Sequence, residues 1–153
     1  MNTVSSVEQN LKAGIGAGLD YHSSTFYFGL KALGGTYYLE IDDDVPKENG
    51  FGRNDLGGEF KGTWAYLSTI GMQLSKNIFT ELRYSEWYDS NEWLEKFTAL
   101  NIKYKRNMWN TDTTVQFSIE NTKYNLESYS KGNVPILPWD EDILLKLSVH
   151  IPF

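Results

Sequence analysis

The strongest constraint on this chain is its final stretch. From Ile143 to Phe153 every second residue is apolar: Ile143, Leu145, Leu147, Val149, Ile151 and Phe153. Leu144, Lys146, Ser148, His150 and Pro152 stand between them. A period of two held this long specifies a β-strand with one apolar face. A terminal strand of a soluble sheet seldom has six large apolar side chains to bury on one face. A strand that crosses a bilayer has that need, and ~9–11 tilted residues suffice to span the hydrocarbon. The question is then whether the rest of the chain repeats the pattern.

It does. Leu11, Ala13, Ile15, Ala17, Leu19 and Tyr21 alternate with Lys12, Gly14, Gly16, Gly18 and Asp20. Phe26, Phe28, Leu30 and Ala32 alternate with Tyr27, Gly29 and Lys31. After Gly34-Gly35 the phase flips, with Tyr37, Leu39 and Ile41 now apolar. A Gly pair at a phase flip predicts a two-residue hairpin turn; the alternative is one long strand carrying a bulge. Further alternating runs lead to eight predicted strands, near 11–21, 25–33, 36–43, 58–74, 78–89, 93–106, 112–125 and 142–153. Residues 1–10 read as a flexible N-terminal segment. On this count the tight turns, including Gly34-Gly35, fall at one end with both termini. The longer connections, Asp43–Gly57 and Leu126–Glu141, fall at the other end, together with His22–Ser24. With a bulge at Gly34-Gly35 there are seven strands, and the chain looks like a piece of something larger.

Composition narrows the class. Mean hydropathy is -0.45 and no run of apolar residues is long enough for a membrane-crossing helix, which says nothing against membrane-spanning strands, since only alternate residues of those face lipid. Cysteine is absent, removing disulfides, thiolate metal sites and Cys nucleophiles. A net charge of -6 argues against nucleic acid as a partner. No signal peptide is recognisable at Met1–Asn10, so an exported form would be a mature chain with an added Met or a piece of a longer one.

The residues opposite the apolar columns carry charges of both signs: Lys12, Asp20, Lys31, Glu40, Asp42, Glu59, Lys61, Glu81, Arg83, Lys103, Lys105, Glu120 and Lys146. Enclosed in a narrow barrel they must pair, because an unpaired buried charge is very costly. Tyr21, Trp87, Tyr88, Trp93 and Trp139 fall towards the long-loop end, and Tyr37, Tyr104, Trp109 and Phe153 towards the other. Two such belts are expected where a barrel meets two membrane interfaces. Glu86 and Lys96 break the apolar columns, near the long-loop end.

The ending Leu145-Lys146-Leu147-Ser148-Val149-His150-Ile151-Pro152-Phe153 resembles the C-terminal assembly signal of bacterial outer-membrane β-barrels, a terminal aromatic preceded by apolar residues at alternate positions. With about eight strands, the whole chain is similar to the small OmpA/OmpX-type barrels. The resemblance implies an all-β, antiparallel, up-and-down transmembrane barrel in the outer membrane of a Gram-negative bacterium. It implies contact with outer-membrane lipids and lipopolysaccharide, and with the barrel assembly machinery through the strand ending at Phe153. A monomer with a structural, surface-interaction or narrow-pore (porin-like) role is expected, without cofactor and without enzymatic activity.

Two groupings of residues invite a reading as sites. His22-Ser23, with Asp20 and Glu40 in reach of sequence, invites comparison with outer-membrane acyl hydrolases, where His takes the Ser proton and an acid orients His; the bland reading is a polar turn. Asp42-Asp43-Asp44, with Glu48 and Asp55, offers carboxylates to a hard cation but without the spacing of a calcium loop, and a solvated acidic loop accounts for it. The Gly14-Gly16-Gly18 string lacks the helix and the Lys-Ser/Thr of a phosphate loop and reads as room for large neighbouring side chains. Three rival functions stand beside the barrel: a soluble lipocalin-like barrel with an apolar lumen, a lipid-modifying acyl hydrolase, and the C-terminal barrel domain of a longer protein.

Overall fold

The computed structural model describes residues 4–44, 56–108, 111–125 and 139–151. Within them lie seven strands, β1 (Val4–His22), β2 (Phe26–Asp44), β3 (Leu56–Gln73), β4 (Ile78–Asp89), β5 (Glu92–Met108), β6 (Thr111–Asn125) and β7 (Trp139–His150). They form one antiparallel sheet in sequence order, each strand pairing only with its chain neighbours. β1 and β7 are the edges and share no ladder, so the sheet is not closed into a barrel.

Two expectations need correction. Gly34-Gly35 is not a turn but the middle of β2, where Gly34 pairs with Ile15 and Trp64, and Gly35 with Gly14 and Thr63. Neither glycine takes a left-handed φ, so neither has the backbone a two-residue hairpin requires. The phase flip comes from apolar residues changing face: Leu33 and Tyr37 belong to one face of the sheet, Ala32 and Thr36 to the other. Residues 4–10, read as part of a flexible N-terminal segment, are the start of β1, laddered to Leu39–Asp44.

Losing one turn also re-sorts the ends. The links Ser23–Thr25, Leu74–Asn77 and 109–110 share one end, with the end of β7. Segments 45–55 and 126–138 leave from the other, where the start of β1 and the tight Ser90-Asn91 turn also lie. His22–Ser24 therefore lies at the same end as Leu74–Asn77, opposite the end at which β2 and β6 finish. Ser90 has φ 53°, the one positive value among described non-glycine residues. That φ lets Asp89 pair with Glu92 across two residues.

The sheet is strongly rolled. Lys12 on β1 contacts Glu95 on β5, although four ladder steps of ~4.8 Å would hold them about 19 Å apart on a flat sheet. Tyr37 on β2 lies 6.0 Å from Trp87 on β4, ring centre to ring centre. The face carrying these contacts is therefore concave. The convex face carries the apolar columns, and their side chains are exposed: Leu11, Ile15, Leu19, Leu30, Ile70, Leu82, Leu100, Ile119, Leu145 and Leu147 among them.

The convex apolar columns do not run straight across the strands. On β1 the column centres near Ile15 and Ala17, and on β7 on Leu147. The ladder row through Leu147, Phe117, Ile102, Thr80, Met72 and Phe26 runs past the end of β1 at His22. The column slides by about one residue per strand. With ~3.3 Å rise and ~4.8 Å spacing, that inclines the strands by about 35° to the normal of the apolar band.

Glycine placement yields a stability contrast. A methyl on Gly16 would meet the Ala32 carbonyl oxygen at 2.1 Å and Leu33 Cδ2 at 2.3 Å, whereas one on Gly34 meets nothing within 4 Å. Gly16→Ala is expected to lower unfolding stability by about 1–3 kcal/mol. Gly34→Ala should be neutral to stabilising by about 0.5 kcal/mol, a result that a hairpin turn at this position could not give. Urea titration of the folded protein checks both.

Candidate functional site: the polar concave wall

Alternation places the mixed charges of β4–β7 on the concave face, where Glu81, Arg83, Glu120 and Lys146 join one connected network. Asn101 on β5 donates through Nδ2 to Glu81 on β4 at 3.2 Å and accepts at Oδ1 from the Ser118 hydroxyl at 2.6 Å. Gln116 Nε2 donates to the same Asn101 oxygen at 3.3 Å and to Ser118 at 3.0 Å. Arg83 bridges Glu81 at 3.5 Å and Glu120 at 4.0 Å, and Lys146 on β7 bonds Glu120 at 2.8 Å. Asn101 and Ser118 are buried, while Arg83 and Lys146 reach solvent. A buried amide whose nitrogen donates and whose oxygen accepts, flanked by opposite charges, is the hydrogen-bonded kind of polar interior that burial tolerates.

Towards the long-loop end the concave face changes character. Tyr37, Ala65, Trp87, Leu94 and Tyr124 form a buried cluster, with Leu33 and Leu67 packed against it. Glu95, fully buried, sits among them. Its two oxygens are taken by Lys12 and by the Tyr37 hydroxyl, the latter at 2.8 Å. The Lys12 ammonium also lies 5.8 Å from the Tyr37 ring centre and 6.0 Å from that of Trp87, within cation–π range. A register shift after Trp87 leaves Leu94 without a ladder partner, so that both Leu94 and Glu95 reach the interior.

Tyr37 and Trp87, expected in the interfacial belts, are thus interior residues. Tyr21 and Tyr88 do lie on the convex face. There a second cluster resolves the misfit of Glu86 and Lys96. The Glu86 carboxylate accepts hydrogen bonds from Tyr66, Tyr84 and Tyr88, and from Lys96 at 3.2 Å. Trp64 stacks on Tyr88 at 4.5 Å, and its Nε1 donates to the Ser90 carbonyl at 2.9 Å. Glu86 is 5% exposed although it faces outward; tyrosine rings cover it.

The remaining sequence candidates are not brought together. Ser23 Oγ serves the β1–β2 turn, accepting from the Phe26 amide at 3.0 Å and donating to the Phe26 carbonyl at 3.1 Å. His22 stacks on Tyr27 at 4.5 Å instead of bonding Ser23, and Asp20 accepts from the Tyr27 hydroxyl at 3.3 Å. No nucleophile–base–acid relay joins these three residues. Asp42–Asp44 end β2, paired with Ser6–Val4, not in a loop; their side chains, and the whole of Glu48 and Asp55, lie outside the described residues. Among the described residues no group of three His, Asp or Glu is placed to hold a metal. His150 closes β7 opposite Thr114. Gly16 and Gly18 make room for Leu33 and Lys31.

Sequence reading missed Glu95, Asn101 and the interior role of Tyr37 and Trp87. Phase alone carries a signal for Asn101, which alternates with Leu100 and Ile102. Glu95 is hidden by the one-residue shift beside Leu94.

Four variants weigh the clusters. Lys12→Met strands the buried Glu95 carboxylate and should cost about 3 kcal/mol, most of it regained in Lys12→Met/Glu95→Gln. Glu86→Ala leaves three hydroxyls and Lys96 without their acceptor and should cost about 2–3 kcal/mol, whereas Tyr84→Phe alone should cost about 1 kcal/mol or less. Urea unfolding monitored by tryptophan fluorescence reads all four. The chain has no match among protein-family models, curated proteins or solved structures.

Proposed function

We propose that this chain is the membrane-spanning wall of a bacterial outer-membrane β-barrel, without enzymatic activity, whose role is structural and surface-interacting. One observation carries this reading: the long exposed apolar columns, from Leu11–Leu19 on β1 to Leu145–Leu147 on β7, point away from the concave face, and most of the paired charges point into it. In water that distribution leaves an apolar surface far larger than soluble proteins tolerate, while in a bilayer it is the required one.

The inclined apolar band adds support. A band level with the membrane and strands tilted ~35–45° is the geometry of closed membrane barrels. The Tyr66–Tyr84–Tyr88 shell around Glu86, with Trp64, suits the headgroup level, where an aromatic ring has an apolar body and a wet end. Lipids and lipopolysaccharide are the partners proposed for this face, and the assembly machinery for the C-terminal strand. Segments 45–55 and 126–138 leave from one end of a rigid scaffold, which is where surface partners are usually met.

The interior cluster bears on the narrow-pore role. Tyr37, Trp87, Leu94 and Tyr124 with the Lys12–Glu95 pair fill the wall where an open channel would pass, favouring a plugged barrel. A lipocalin-like carrier would need the apolar columns inside. An acyl hydrolase at Ser23 would need a hydroxyl free of the turn.

Two tryptophans decide the orientation. In single-Trp variants refolded into vesicles, dibrominated lipid should quench Trp64 strongly and Trp87 little. An unboiled sample should also run differently from a boiled one on a denaturing gel. A monomer soluble in plain buffer, with Trp64 unquenched, overturns the membrane reading.

A further inference from the structure

The two edges of the sheet share features that point to an absent neighbour. Outward side chains on the edges are much barer than those in the centre: Ile15 is 89% and Leu147 73% exposed, against 39% for Leu100 and 40% for Phe117. A central residue is covered from both sides by adjacent strands, and an edge residue from one. On the concave side of β1, Gly14, Gly16 and Gly18 carry no side chains, and β2 leans across them. A methyl on Gly18 would meet Lys31 Cγ at 2.4 Å. Lys31 is thereby carried towards the edge; it is exposed and makes no ion pair among the described residues.

Direction identifies what fits. In an up-and-down sheet of seven strands the first and last run the same way. One strand running opposite to both satisfies the free N–H and C=O groups of both edges with antiparallel ladders and makes the strand count even. The edges come within 8 Å of each other without pairing. Two ladder steps take about 9.6 Å, so the seam parts slightly to admit a strand.

We propose that the β1–β7 seam is an acceptor for one extended polypeptide segment from outside the described strands, antiparallel to both edges, apolar at alternate outward positions and bearing an inward carboxylate where it passes Lys31. The acceptor geometry follows from the sheet alone. Preference over a second copy rests on the membrane reading, because copies inserted in one orientation present strands that run parallel to these edges.

The probe is a synthetic peptide copying β6, Thr111–Asn125, which already pairs antiparallel with β7. It places Val115, Phe117 and Ile119 on one face and Gln116, Ser118 and Glu120 on the other. Amide hydrogen exchange is followed on the full chain folded in detergent, after its gel mobility shift has been checked separately, so that failure of the membrane reading is seen independently. Seam-facing amides of both β1 and β7 should exchange fast alone and slow about tenfold or more with peptide. A Glu120→Gln peptide, or Lys31→Met in the protein, should weaken binding about fivefold, and a scrambled peptide should do nothing. Seam amides already protected without peptide would mean direct closure of β1 on β7. Protection of one edge only would mean simple edge addition. Protection that tracks a cross-linked dimer would mean a second copy. Each of these three results overturns the proposal.

Discussion

The structure depends on a contact that a flat sheet forbids: Lys12 of the first strand against Glu95 of the fifth. A seven-stranded meander needs no roll to satisfy its ladders. It rolls here because one face has side chains that seek one another and the other has side chains that do not. Glu95 has no water to turn to, so its charge is tolerable only while the roll holds Lys12 and the Tyr37 hydroxyl against it. The roll in turn crowds β1 against β2, and that crowding makes glycine obligatory at Gly16, where any Cβ meets a backbone oxygen. A buried carboxylate on β5 and a run of glycines on the same face of β1 are thus two ends of one constraint.

The polar interior has two regimes. Near the short-turn end it is a relay of amides and ion pairs reaching from Glu81 to Lys146, partly wet. Near the other end it is a dry aromatic cluster built around a single ion pair. The same physics operates on the outer face at Glu86, where the acceptor capacity of one carboxylate is filled by three phenols and an ammonium. In each place a charge survives outside bulk water because donors from neighbouring strands meet the carboxylate.

Much of this was legible in the sequence, and the illegible parts share a cause. Strand existence, and the separation of Leu145 and Leu147 from Lys146 onto opposite faces, follow from period-two alternation, which does not say which face is the outer one. What alternation cannot resolve is a change of content at constant phase. Gly34-Gly35 reads as a turn because apolar residues swap sides there. The strand runs straight through, and Leu33 and Tyr37 are apolar residues on the polar face. Similarly, Trp87 reads as interfacial from its place near a strand end, although its partners Ala65 and Glu95 put it inside. Polar residues drawn together from distant strands, such as Lys12 and Glu95, leave no local trace.

The three register shifts, at Val7/Gln9, Leu39/Ile41 and Trp87/Tyr88, all fall in the half of the sheet nearest the long-loop end. The half near the short turns is regular throughout the described ladders. This divides the molecule by its tolerance of insertions and deletions. In the regular half, gaining or losing a single residue reverses the facing of everything between it and the next turn, so length there can drift only by residue pairs taken from matched strands. In the bulged half an odd residue is already absorbed, and single-residue changes have somewhere to go. Descendants of this chain would therefore diverge in length from one rim inward, keeping the other rim as a fixed ruler.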